Sequence, residues 1–203
     1  MLKEKFLTLI GKYSEDKVYN LECWDEIEKK YSSKSRHYHN LEHIENMLEE
    51  LNKIESKVDN LDCLLFAIFY HDIIYISTKS DNEHQSALVF EKRISKTSFD
   101  KIEECMSQIQ ATKDHKMSSD NDTNILLDLD LSVLGKSQEE YIKYSKAIRK
   151  EYSIYPDFMY EKGRTKVLKS MYEFDFIYKT DLFRKEYETQ AKRNLLFELN
   201  LLN

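Results

Sequence analysis

Asp59-Asn60-Leu61-Asp62-Cys63-Leu64-Leu65-Phe66-Ala67-Ile68-Phe69-Tyr70-His71-Asp72 carries the reading of the fold. From Cys63 to Tyr70 no residue is charged and none is Gly or Pro, so the run predicts a helix apolar on nearly every side. A helix of that kind is central, because other elements must cover all of its faces. It leads into His71-Asp72 and then Ile73-Ile74-Tyr75. A carboxylate in that setting costs several kcal/mol unless something positive neutralises it, and a metal ion would do so.

On both sides of this run apolar residues recur at spacings of three and four. Leu2, Phe6, Leu9, Ile10 and Tyr13 predict a first helix, and Leu21, Trp24, Ile27 and Tyr31 a second. Asn40 is placed to cap a helix reaching about residue 56, with Leu41, Ile44, Leu48 and Leu51 inward. Residues 73–81 read as a loop, followed by helices from Asn82 to about Ser95 and from Ser98 to about Thr112. Asp122 is expected to cap a short helix carrying Asp128 and Asp130. Ser137 with Glu140 resembles a capping box, Pro156 suits a first helical turn, and a last helix runs from about Asp181. No segment alternates as a strand does. With 3 Gly and 1 Pro in 203 residues, the expectation is an all-α helical bundle, one domain over 1–203. Its N-terminal helices, 1–31, are expected to pack on the core.

Charge narrows the partners. A formal net charge of −6 argues against a nucleic-acid-binding face or an anionic membrane surface. No apolar run is long enough to span a bilayer and no signal peptide opens the chain, so a soluble cytoplasmic protein, monomer or homodimer, is expected. Cys23, Cys63 and Cys105 are widely spaced and read as reduced thiols.

Four of the 6 histidines fall in a series with acidic residues: His39 and His43, then His71-Asp72, then His115, then Asp128 and Asp130. Histidine and carboxylate are the usual ligands of zinc, manganese and iron. Spaced by four, His39 and His43 would be stacked on one face by a helix running through both. His115 and Asp130 sit where ligands from separate helices of a bundle converge.

Together these residues resemble the HD superfamily of metal-dependent phosphohydrolases. Tyr38-His39-Asn40-x-x-His43 is similar to the Tyr-His-Asn-x-x-His element of its cyclic nucleotide phosphodiesterases. Over roughly 36–199 the chain also resembles a group of predicted bacterial HD phosphohydrolases of about this length. The shared segments are residues 38–44, 71–75, 81–87, 128–135 and 148–152, with Gly163-Arg164 and Ala191-x-Arg193-Asn194. The resemblance implies His43, His71, Asp72 and Asp130 as metal ligands, Asp130 being chosen over Asp128 because Asp130-Leu131-Ser132 matches an Asp-Leu-Ser element. It implies His39 as general acid, His115 as an additional ligand or a support for one, and Glu83 as the group handling the nucleophilic water. Two-metal members carry an adjacent His-His pair, which this chain lacks.

The implied cofactor is a divalent cation (zinc, manganese, nickel, iron or magnesium), one or two per chain. The implied reaction is attack of activated water on a phosphomonoester or phosphodiester of a small substrate, with nucleotides the leading class. Lys79, Arg149, Arg164 and Arg193 are candidate phosphate ligands, each weighed against a simple ion pair, and Tyr38 and Tyr75 candidate pocket walls. Glu42 and Glu45 either orient the ligand rings or are solvated; His37 and His84 are expected to be exposed. Two other functions use the same features: a di-iron oxygenase on this scaffold, and a non-catalytic module sensing a nucleotide or metal.

Overall fold

The computed structural model describes residues 2–202, and among them every regular element is helical. No described helix is long and apolar enough to cross a membrane. The chain divides into two compact units, one running to Leu126 and the other starting at Leu127.

The first unit contains α1 (Leu2–Gly11), α2 (Lys17–Tyr31), α3 (Leu41–Ile54), α4 (Leu61–Tyr70), α5 (Asn82–Ile94) and α6 (Ile102–Ala111). Helix α4 is the buried centre that the apolar run predicts: every side chain from Cys63 to Tyr70 is buried. Asn60 starts it by accepting from the Cys63 amide. Aromatic rings then close round it, Phe6 from α1 lying 5.2 Å from Phe69 and Phe90 from α5 5.5 Å from Tyr70. Each such ring contributes roughly 1.5–3 kcal/mol by burial, so this cluster outweighs any local propensity.

Two expected boundaries move, both for long-range reasons. Helix α6 starts at Ile102, not Ser98, because Ser98 donates its amide and hydroxyl to the Tyr13 carbonyl and Phe99 enters the aromatic cluster, 4.9 Å from Phe66. Asp122 does not cap the helix in which it lies, α7 (Asn121–Asp130). Asp120 accepts from the Thr123 amide and hydroxyl in that role. Asp122 is buried and accepts the amides of Asp59 and Asn60, fixing the entry to α4.

The second unit holds the end of α7, then α8 (Gln138–Glu151), α9 (Asp157–Tyr172), α10 (Asp181–Phe183) and α11 (Thr189–Leu201). The capping box of Ser137 and Glu140 is present at the start of α8. Between α10 and α11 the expected single helix widens into a π-helical turn, Arg184–Glu188. Its Glu188 carboxylate accepts the amides of Ile177 and Tyr178, and Tyr187 packs against Gly135. In the interior Arg164 pairs in bidentate fashion with Glu198, at 2.8 and 3.0 Å, while Tyr141 donates its hydroxyl to the same carboxylate. Burial alone would raise the Glu198 carboxyl, but the hydrogen bonds and charge of Arg164 outweigh it and hold it low.

Candidate metal centre

The centre is built where α4 ends and α3 begins. Asn40 caps α3 by accepting the Glu42 and His43 amides, which sets His43 in the first turn facing inward while Glu42 and Glu45 face solvent. His71 is wholly buried and continues α4 for one residue, its amide donating to the Ala67 carbonyl. Asp72 follows, 8% exposed, with its amide donating to the Tyr31 hydroxyl at 3.1 Å.

The side chains of His43, His71 and Asp72 each turn one ligand atom to a common point, all within 4.8 Å of one another. His43 Nε2 and His71 Nε2 are 3.2 Å apart, and His71 Nε2 is 3.2 Å from Asp72 Oδ2. Ligands about 2.0–2.2 Å from a cation are separated by about 3 Å in an octahedral and 3.4 Å in a tetrahedral shell, so these edges fit a first-row divalent ion. The tautomer fits as well. His71 Nδ1 lies 2.9 Å from the Ile68 carbonyl, which can only accept, so that nitrogen carries a proton and Nε2 is the one available to a metal when the ring is neutral.

Arg36, 8% exposed, locks the geometry from behind. Its Nη1 donates to the carbonyls of Asp72 (2.6 Å) and His39 (3.1 Å), and its Nη2 to that of Ile73 (2.9 Å). One guanidinium thus joins the segment carrying His39 to the end of α4. Its place among only six arginines marks it as a candidate anion partner, but nothing in the spacing of the motifs marks it as a support for the site.

His39 lies beside the three-ligand group, its Nε2 3.9 Å from Asp72 Oδ2. Tyr75 stacks on its ring (3.9 Å, 24°), and Tyr38 meets the rings of His39 and His43 at 4.9 and 4.8 Å. Both tyrosines therefore lie against the histidine rings. The loop bearing Tyr75 is held by α5: Asn82 accepts the Ile76 amide and donates to its carbonyl, while Ser86 does the same for Ile74. That gives the Asp81-Asn82-Glu83-x-x-Ser86 motif a structural reason. Glu83 stands half-buried in the first turn of α5, Lys79 is exposed in the loop, and His37 and His84 are exposed.

His115 stands outside the three-ligand group. Its φ of 49° and its amide bond to the Ala111 carbonyl end α6 in the left-handed conformation, a capping role that needs no metal. Asp130 is the last residue of α7 and belongs to the second unit. In that unit Arg164 is committed to Glu198, and Arg149 to Asp157 at 2.6 Å and to the carbonyls of Tyr152 and Tyr155; Arg193 is exposed on α11. Asp128, the acid passed over for Asp130, is fully buried and accepts from the Lys179 and Thr180 amides and the Thr180 hydroxyl. Its role is to hold the chain leading into α10.

No protein-family model matches this chain, and no curated protein or solved structure gives a significant match.

Proposed function

We propose that this chain is a metal-dependent phosphohydrolase of the HD type, cleaving a phosphomonoester or phosphodiester of a small molecule, with nucleotides the leading class. The observation that carries the reading is the convergence of His43 Nε2, His71 Nε2 and an Asp72 oxygen within 4.8 Å, with His71 Nε2 3.2 Å from each of the other two and His71 Nδ1 held at the Ile68 carbonyl. A divalent ion held there supplies Lewis acidity and a nucleophilic water at neutral pH. The resemblance adds Asp130 as a fourth ligand, to be tested by the metal content of Asp130→Ala.

The remaining roles belong to the chain. His39 protonates the leaving oxygen, its ring plane set by stacking on Tyr75 and its backbone by Arg36. Glu83 orients the attacking water, a role that rests on the motif. The three converging ligand atoms of His43, His71 and Asp72 suit one ion, which favours one metal over two, and hydrolysis over di-iron oxygen chemistry.

The test is elemental analysis of the purified protein beside Asp72→Ala, with hydrolysis of bis-p-nitrophenyl phosphate and a nucleotide panel. One metal per chain with turnover, both lost in the variant while helical content holds, supports the reading. Stoichiometric metal retained by the variant would refute the ligand assignment.

A further inference from the structure

We propose that a second cavity in the first unit, between the C-terminal half of α2 and residues 73–76, is a binding site for a small organic phosphate. The cavity measures about 670 Å³, and none of His39, His43, His71 or Asp72 lines it. That volume is within the range of small-ligand sites.

Its charge is what points to an anion. Lys29, Lys30, Arg36 and Arg93 line it, against Asp25 and Glu26. Arg93 is already paired with Glu26 at 2.6 Å, and Asp25 lies 4.0 Å from Lys3. Lys29 and Lys30, on the last turn of α2, have no carboxylate partner among the described residues. Arg36 is the third such cation: all of its hydrogen bonds go to uncharged carbonyls. These carbonyl bonds satisfy its donors but supply no opposite charge, so its positive charge lies beside the cavity without a carboxylate to pair it. Three cations of this kind round one cavity, in a chain of net charge −6, form a local exception to the overall charge.

The other wall sets the class of ligand. Ile74 and Ile76 present an apolar surface beside Tyr75, whose ring also stacks on His39. Inorganic phosphate would leave that wall in water; a phosphate carrying an apolar or aromatic group would cover it. A nucleic-acid strand is disfavoured by the net charge and by the concave shape.

The experiment uses the whole chain treated with chelator, so that it does not depend on the metal-centre reading. Phenyl phosphate is titrated while amide resonances of Ser33–Arg36 and Ile73–Ile76 are followed by NMR. Saturable shifts in both segments, with affinity lowered tenfold or more in Lys29→Glu/Lys30→Glu, are expected. Absence of saturation, or weakening below tenfold, overturns the proposal. Should the reversed pair fail to fold, judged by the fluorescence of the buried Trp24, Lys29→Gln/Lys30→Gln is read in its place, with threefold as the dividing value.

Discussion

Arg36→Lys tests the core of the reasoning about the centre. The guanidinium serves three carbonyls from two nitrogens, those of Asp72 and His39 from Nη1 and that of Ile73 from Nη2. A lysine keeps the charge but has one nitrogen, which cannot span carbonyls served by both. At least one buried carbonyl then loses its partner, at about 1–3 kcal/mol. Loss of the guanidinium from the Tyr31 face, 4.8 Å away, adds roughly 0.5–1 kcal/mol. The expected destabilisation of the first unit is therefore about 1.5–4 kcal/mol. Trp24, the only tryptophan, is buried in that unit, so urea unfolding followed by its fluorescence reads the correct region. Release of the Asp72 and His39 backbones should also weaken metal binding, by about 10–100-fold if Arg36 acts as other supporting residues do. A variant within 0.5 kcal/mol of the parent and with unchanged metal affinity would refute the argument that this guanidinium holds the site together.

Three further outcomes follow from other parts of the molecule. His39→Gln should keep the metal and lose about 10²–10⁴-fold in turnover, as removal of a general acid does; loss of metal would make His39 a ligand instead. Burial raises the Asp128 carboxyl from 3.8 to about 6, against the lowering effect of the Lys179 and Thr180 hydrogen bonds. The folded state then holds that proton more tightly than the unfolded one, so this group's stabilising contribution is full below 3.8 and is lost as pH rises through 6. The rise is worth roughly 3 kcal/mol, and carbon NMR of the Asp128 carboxyl, with unfolding measured across that window, checks both the value and the sign. Gly135→Ala places a methyl 2.5 Å from Tyr187 Cβ and 2.9 Å from the Tyr178 hydroxyl. It should cost about 1–3 kcal/mol, seen as faster hydrogen exchange in α11; unchanged exchange would mean the π-helical turn gives way freely.

What could be read from the sequence was whatever is decided within about four residues. Asn40 and the Ser137–Glu140 box start their helices as their spacing says, and Cys63–Tyr70 is buried because it has no polar face to expose. The same locality made His71-Asp72 legible: a histidine and an acid at the end of such a run have few structural uses. Asp122 was misread because its partners lie 62 and 63 residues away, and Ser98 because its acceptor is Tyr13, 85 residues away. The π-helical turn was hidden for a similar reason. Its widening accompanies bonds from Glu188 to amides ten and eleven residues earlier, which no helical period encodes.

The supporting role of Arg36 went unread by the same logic, and its case links fold to site most directly. A helix ends with carbonyls that lack intrahelical donors, and a buried end must find them elsewhere. At the end of α4 two side-chain donors serve the last turn and the residues just beyond it, beside the Ile73 amide at the Tyr70 carbonyl: His71 Nδ1 at the Ile68 carbonyl, Arg36 at those of Asp72 and Ile73. The first of these bonds leaves Nε2 as the His71 nitrogen available to a metal, aimed at His43 and Asp72. The second ties the end of the helix to the segment bearing His39 and His43. Ring tautomer and segment placement are thus consequences of how one apolar helix is terminated. On this argument, substitutions that relax the end of α4 will disturb the three-ligand group even where they touch none of its members.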